Sequence, residues 1–250
     1  MPFPLEVCID SLDAALAAAP HLRPGDRFEV CSSLLAGGGL TPSMGLVLML
    51  RELMPEIKLM VMIRPRPGSF VYTPAEVDVM LEDIRAVKIS GADGIVFGCL
   101  LRDGNVDVAT ATRLTQAAHP LPVTFHRAFD VTPDWHAALE DIASIPGITR
   151  ILTSGHMATA LDGAAELRQL ANLAPAHLSI LPASGINAIT LPRVLQIASL
   201  HEAHLSAGGI YTPPTDPMGA RGEVLGFGRS EWRLDPTKLA AVRDWVDKNT

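Results

Sequence analysis

The sequence predicts a (βα)8 barrel, and three observations carry that prediction. Eight short apolar runs alternate with amphipathic stretches from one end of the chain to the other. Polar and ionisable residues gather where several of those runs finish: His126, Arg127 and Asp130 after one, Arg64 and Arg66 after another, His204 and Ser206 in a third. Polar groups collected at strand ends mark a site built at one end of a parallel sheet. The length of 250 residues matches a single TIM-type domain spanning 1–250.

Taken in order, the predicted strands are residues 5–9, 27–31, 58–63, 94–99, 121–126, 150–153, 178–183 and 203–207. The predicted helices fill 11–19, 43–54, 73–90, 106–118, 134–145, 158–174, 190–200 and 236–248. Within 73–90, Val77, Met80, Leu81, Ile84 and Val87 recur at helical spacing. Ser11, Thr73 before Pro74 and Thr132 before Pro133 supply side-chain oxygens for orphan N–H groups at helix starts. Gly91 and Gly147 stand where helices must stop. Eight βα repeats put helices outside a parallel sheet, and eight strands close it. One long irregular stretch, 208–233, rich in Gly and Pro, reads as a functional or partner-contacting loop.

Composition narrows the function classes. Hydrophobic residues make up 48% and aromatic residues 5%, so the core is aliphatic. A formal net charge of −7 without a basic cluster argues against nucleic acid and anionic membrane surfaces as partners. No apolar run is long enough to span a bilayer, and the first residues lack a signal-type pattern, so the expected location is cytoplasmic. Three cysteines, Cys8, Cys31 and Cys99, argue against a disulfide scaffold. As reduced thiols they are free to pack, to ligate metal or to attack. Assembly into a homo-oligomer is left open.

Strand alternation assigns faces. In the first strand Leu5, Val7 and Ile9 alternate with Glu6 and Cys8; in the second, Phe28 and Val30 alternate with Glu29 and Cys31. The apolar sets must face the helices, so the Glu and Cys residues face the interior. The same parity sends Met60, Met62, Arg64 and Arg66 inward, with Thr124, His126, His204 and Ser206. Buried charges must pair, so Glu6 and Glu29 are expected to meet Arg64, Arg66 or a histidine. A structural ion network is the competing reading for Glu6 and Glu29. Cys8 and Cys31 lie on neighbouring strands about 4.8 Å apart and can share a soft ion such as Cu(I), or pack as small hydrophobes. Closed zinc spacings are absent. The turns Ser184-Gly185-Ile186 and Ser206-Ala207-Gly208-Gly209 follow the last two strands, where barrels bind phosphate on backbone amides. Thr153-Ser154-Gly155-His156 is similar.

Beyond these readings, the chain resembles the CutC copper-homeostasis family. The resemblance rests on Glu6-Val7-Cys8, Glu29-Val30-Cys31, the segment from Gly38 to Ser43, Ile63-Arg64-Pro65-Arg66, Phe70 with Tyr72, the segment from Phe125 to Asp130, Leu152 to Gly155, and His204 with Ser206-Ala207; Met218-Gly219-Ala220 adds a weaker match. It implies a cytoplasmic βα barrel that binds copper through Cys8 and Cys31 and serves copper tolerance. Ser69 stands where the family usually has Asp, and Ala183-Ser184-Gly185 where it usually has a glycine run. Two functions follow. One is a copper-homeostasis protein that binds Cu(I) through Cys8 and Cys31, with Met60 and Met62 as soft neighbours. The alternative is an enzyme acting on a small anionic substrate. There Glu6, Glu29, Arg64, Arg66 and Ser206 bind the ligand, and His126, Asp130 and His204 carry the chemistry. The polar mouth favours the second and the resemblance favours the first, since positive charge beside a Cu(I) ion disfavours the cation.

Overall fold

Eight strands form one parallel sheet in the order β7-β6-β5-β4-β3-β2-β1-β8. The structure is a computed structural model that describes residues 3–212, 219–225 and 230–250. The strands are β1 (Leu5–Ile9), β2 (Arg27–Val30), β3 (Lys58–Met62), β4 (Gly94–Phe97), β5 (Val123–Phe125), β6 (Ile148–Thr153), β7 (Ser179–Pro182) and β8 (Ala203–Leu205). Both faces of each strand are covered, which is why each reads as a nearly continuous apolar run. β7 and β8 stand side by side across the seam without a ladder between them, so the barrel is nearly closed.

Eight outer helices follow the strands: α1 (Leu12–Ala18), α3 (Met44–Leu53), α4 (Pro74–Ile89), α5 (Val108–Ala118), α6 (Trp135–Ala143), α7 (Ala164–Leu173), α8 (Thr190–Ile197) and α10 (Pro236–Asn249). A one-turn helix, α2 (Leu34–Gly37), precedes α3. The α4 stripe buries Val77, Met80, Ile84 and Val87, as its spacing predicts. Its start is a full capping box, with Thr73 accepting from Glu76 N–H and Glu76 accepting from Thr73 N–H. Ser11 caps α1. Thr132 does not cap a helix as expected. It donates to the Phe129 carbonyl, and Asp134 caps α6 instead. Gly91, at φ +81°, directly follows the Ser90 cap and ends α4 as expected; Gly147, at φ +102°, does not end α6, which stops at Ala143 with Ser144 as its cap, but precedes β6.

The expected irregular stretch 208–233 is partly regular. Gly208–Tyr211 (β9) and Glu231–Leu234 (β10) pair as an antiparallel ribbon, and Gly219–Val224 forms the short α9. Met218 of the weaker family motif lies outside the described residues.

The main hydrophobic cluster lies between sheet and helices and holds Leu5, Val7, Ile9, Phe28 and Val30. Cys8, Cys31, Met60, Met62 and Val96 form a second cluster inside the barrel, and Leu152, Leu181 and Ala183 a third. The predicted parity therefore holds in β1, β2 and β3. Among the described residues, no helix is long and apolar enough to cross a membrane.

Candidate functional site at the barrel mouth

The barrel interior is charged at its floor. Glu6, fully buried on β1, accepts from Arg27 Nε at 2.5 Å and lies 2.8 Å from His204 Nδ1. Arg27 Nη2 also donates to Glu202 at 2.6 Å, and Arg150 Nε donates to the other oxygen of Glu202 at 2.9 Å. Strand register makes these meetings, since Glu6 sits opposite Arg27 on β2 and opposite His204 on β8. Burial alone raises a carboxyl pKa, but the Arg27 guanidinium and His204 outweigh it and hold Glu6 well below the usual carboxylate range. Glu6 and Glu29 were expected to meet Arg64, Arg66 or a histidine. The histidine is met, but the guanidinium is that of Arg27, which shares the inward parity of Glu29 and Cys31. That parity was the signal from which Arg27 could have been found.

One layer higher, Cys8 stands opposite Glu29. The Cys8 thiol donates to Glu29 Oε2 at 3.0 Å, and the Cys8 and Cys31 sulfurs are 3.6 Å apart. Burial, with help from Glu6, pushes the Glu29 carboxyl up toward its neutral form. For His204 burial opposes the charged imidazole, but Glu29 and Glu6 overcome it and raise the pKa. The hydrogen bond to Cys31 and burial push the Cys8 thiol well up, so it is held protonated. One donor atom each from Cys8, Glu29 and His204 lies within 4.8 Å of the others, a buried trio able to coordinate a metal. Cys99 takes no part. It packs in the outer core and points its thiol at the Asp107 carbonyl.

Above this layer a cavity of about 690 Å³ opens at the C-terminal ends of the strands. Cys8, Glu29, Arg64, His126, His204 and Ser206 all line it. Arg64 is held by the carbonyls of Gly37, Gly38 and Gly39 through Nη1 and of Gly68 through Nη2. Gly38 and Gly39, at φ +67° and +87°, turn those carbonyls onto one guanidinium. Phe70 lies between Arg64 and His126, with its ring 5.0 Å from the Arg64 carbon and 4.9 Å from the imidazole centre. His126 Nδ1 accepts from Ala128 N–H at 3.1 Å. Burial, followed by the charge of Arg64, lowers its pKa to about 3 and keeps the ring neutral. The imidazole occupies space that only a glycine at 98 allows, because a Cβ there would meet Nδ1 at 2.5 Å.

Two expected members are elsewhere. Arg66 does not join Arg64, because β3 ends at Met62 and strand parity does not run through Pro65. Its guanidinium grips Glu76 at the start of α4, donates to the Ser69 and Val71 carbonyls and stacks over Tyr72. Asp130 lies outside the cavity lining. It accepts from Arg127 Nε, Thr153 Oγ1, Ser154 N–H and His156 N–H, and so binds the β5 loop to the β6 loop. The Thr153-to-His156 turn is thereby used internally. Arg127 and Lys238, absent from the expected set, do line the cavity. Arg127 adjoins His126 in sequence, whereas Lys238 is brought in by α10 from the far end of the chain. The Ser184-Gly185 turn also borders the cavity, with φ +74° and +72°.

Fold and site together define a TIM-type barrel with a thiol-bearing cavity at its C-terminal face, a few polar groups set in a largely apolar wall. The chain belongs to the CutC family, whose model matches residues 3–209. It is similar to the copper homeostasis protein cutC homolog of Mus musculus, 41% identical over 248 residues, covering 96% of this chain and 87% of that protein. It is 43% identical over 246 residues to the human cutC homolog, with the same coverage. The crystal structure of CutC from Streptococcus agalactiae superposes with a TM-score of 0.76 at 29% identity, covering 82% of this chain and 98% of that one. The deoxyribose phosphate aldolase of Aeropyrum pernix, TM-score 0.58 at 12% identity over 81% of this chain and 85% of that one, shares the fold alone.

Proposed function

We propose that this chain is a cytoplasmic copper-homeostasis protein that binds Cu(I) between Cys8 and Cys31, with residues 1–250 working as one barrel domain. The observation that carries the reading is the 3.6 Å separation of the two sulfurs in a pocket walled by Met60 and Met62. In a tetrahedral zinc–thiolate site, with bonds of about 2.3 Å, two sulfurs stand about 3.8 Å apart, so sulfurs at 3.6 Å are close enough to share one thiophilic ion when further ligands complete its shell. Thiolate and thioether are the ligands Cu(I) prefers. A methyl placed on Gly39 would touch both Met62 Cε at 3.6 Å and Cys31 Sγ at 3.7 Å, which puts a thioether side chain beside the thiols. The names of the mouse and human relatives support the physiological role.

The cations at the mouth do not oppose this reading. Each thiol loses its proton on metallation, so one Cu(I) on two thiolates carries a net negative charge. Titration of Cu(I) under anaerobic, reducing conditions against a chromophoric chelator tests the site. Cys8→Ser and Cys31→Ser should each weaken binding by at least tenfold, about 1.4 kcal/mol, because a hydroxyl is a poor soft-metal ligand. A double variant that competes with the chelator as well as the wild type refutes it.

A further inference from the structure

We propose that the same cavity binds a small organic oxyanion, a carboxylate or phosphate monoester with an apolar body, through Arg64 and His126. The proposal goes beyond the copper reading and uses none of its thiol ligands.

Four observations support it. First, three buried polar atoms on cavity-lining residues have no hydrogen-bond partner among the described residues: Arg64 Nε, His126 Nε2 and Glu29 Oε1. A buried donor without an acceptor is costly, and native structures rarely leave several in one place. Second, the His126 tautomer follows from its contacts. Nδ1 accepts from Ala128 N–H, so the proton of the neutral ring is on Nε2. Nε2–H is therefore a donor that needs an acceptor, and Arg64 Nε–H is another. Third, Arg64 is buried and makes no ion pair among the described residues; its Nη groups donate to backbone carbonyls, and its other neighbours, the Tyr72 hydroxyl and the Phe70 ring, are uncharged. A buried guanidinium without a counter-charge calls for an anion. Fourth, among the described residues the lining holds Arg64, Arg127 and Lys238 with one carboxyl, that of Glu29; Arg127 is paired with Asp130 and Lys238 lies 4.0 Å from Asp235, both outside the lining, which leaves Arg64 as the cation without a carboxylate of its own. The remaining wall is largely apolar, with Leu34, Met62, Phe70, Ile186 and Leu205. An apolar cavity of about 690 Å³ with a few polar groups in its wall is the usual form of a small-molecule site.

The test uses the full chain in a zwitterionic buffer free of phosphate. Thermal shift and calorimetric titration compare inorganic phosphate, phenyl phosphate, benzoate and benzyl alcohol, the last as the neutral counterpart. Phenyl phosphate or benzoate should raise the melting temperature and bind at least tenfold more tightly than benzyl alcohol. Which of the two binds better separates the phosphate from the carboxylate ligand. His126→Asn keeps an acceptor for Ala128 N–H and removes the Nε2 donor; Arg64→Lys keeps the charge and removes Nε–H. Each variant should weaken the preferred probe at least tenfold. Circular dichroism reports whether each folds, and if one does not, the other decides. The Cys8→Ser/Cys31→Ser double variant should lose Cu(I) and retain the probe, which separates failure of this proposal from failure of the copper reading. The proposal is overturned if no charged probe outbinds benzyl alcohol, if the folded variants bind like the wild type, or if the cysteine double variant loses the probe.

Discussion

Replacing Glu6 with glutamine removes one charge from the floor of the barrel and leaves almost the same shape. In the wild type the carboxylate accepts from Arg27 Nε at 2.5 Å and meets His204 Nδ1 at 2.8 Å, and it is fully buried. Glutamine offers one acceptor oxygen and an NH₂ group. With its oxygen toward Arg27, the NH₂ can be met only by a neutral His204 that accepts at Nδ1, so the negative charge is lost to both partners. Arg27 then keeps only the carboxylate of Glu202, and His204 keeps only the longer 3.9 Å approach to Glu29. Breaking a buried ion pair by removing one partner costs about 3–5 kcal/mol. At roughly 2–4 °C per kcal/mol for a chain of this size, the thermal midpoint should fall by about 10 °C. Circular dichroism melts of the wild type, Glu6→Gln, Arg27→Met and the double variant measure this. The double variant should lose less than the sum of the singles, because no uncompensated charge remains between those two positions. A loss below about 1 kcal/mol in Glu6→Gln, or strict additivity in the cycle, refutes the view that this network is held together by charge.

Gly98→Ala would place a methyl 2.5 Å from His126 Nδ1 and 2.8 Å from Ala128 Cβ. It should cost about 1–3 kcal/mol and abolish oxyanion binding; calorimetry showing wild-type binding in this variant contradicts the placement of the imidazole. Arg66→Ala should leave oxyanion binding unchanged and cost no more than about 1 kcal/mol, since its ion pair with Glu76 is partly solvated; weaker probe binding would return Arg66 to the site. For His126, burial lowers the pKa from the ordinary 6.5 to about 3 in the folded chain. The unfolded chain therefore binds the extra proton first, so the stability is present above about pH 6.5 and is lost as pH falls toward about 3, at up to about 1.4 kcal/mol per unit. The melting temperature of the wild type should drop across that window more steeply than that of His126→Asn, and parallel curves would show that the ring is not buried neutral.

Much of the site was legible in the pattern of single strands. Glu6, Cys8, Glu29 and Cys31 could be placed inside because Leu5, Val7, Phe28 and Val30 left them no other face, and the structure puts them there. The same rule misplaced Arg66, since it was carried past Met62, where the ladder stops. Arg64 kept its inward place because the Gly37–Gly39 carbonyls hold it there. Asp130 looked like a member of the mouth from its distance to His126 in sequence. The tight turn that begins at Arg127 instead swings it onto the β6 loop.

The count and order of the βα units, the two faces of each strand and several helix starts were set by local rules: period two in strands, period 3.6 in helices, and caps that satisfy backbone donors next to them. These need no knowledge of distant residues. Partner choice does. Glu6 meets His204 across the β1–β8 pairing, Arg27 meets Glu202, Cys8 comes within 3.6 Å of Cys31, and α10 carries Lys238 to the cavity. Those contacts depend on which strands lie side by side, on the stagger between them, and on which donors are already taken. Coulomb attraction and hydrogen bonding act over a few ångströms, so only the closed barrel decides which of several compatible charges and thiols fall within that reach.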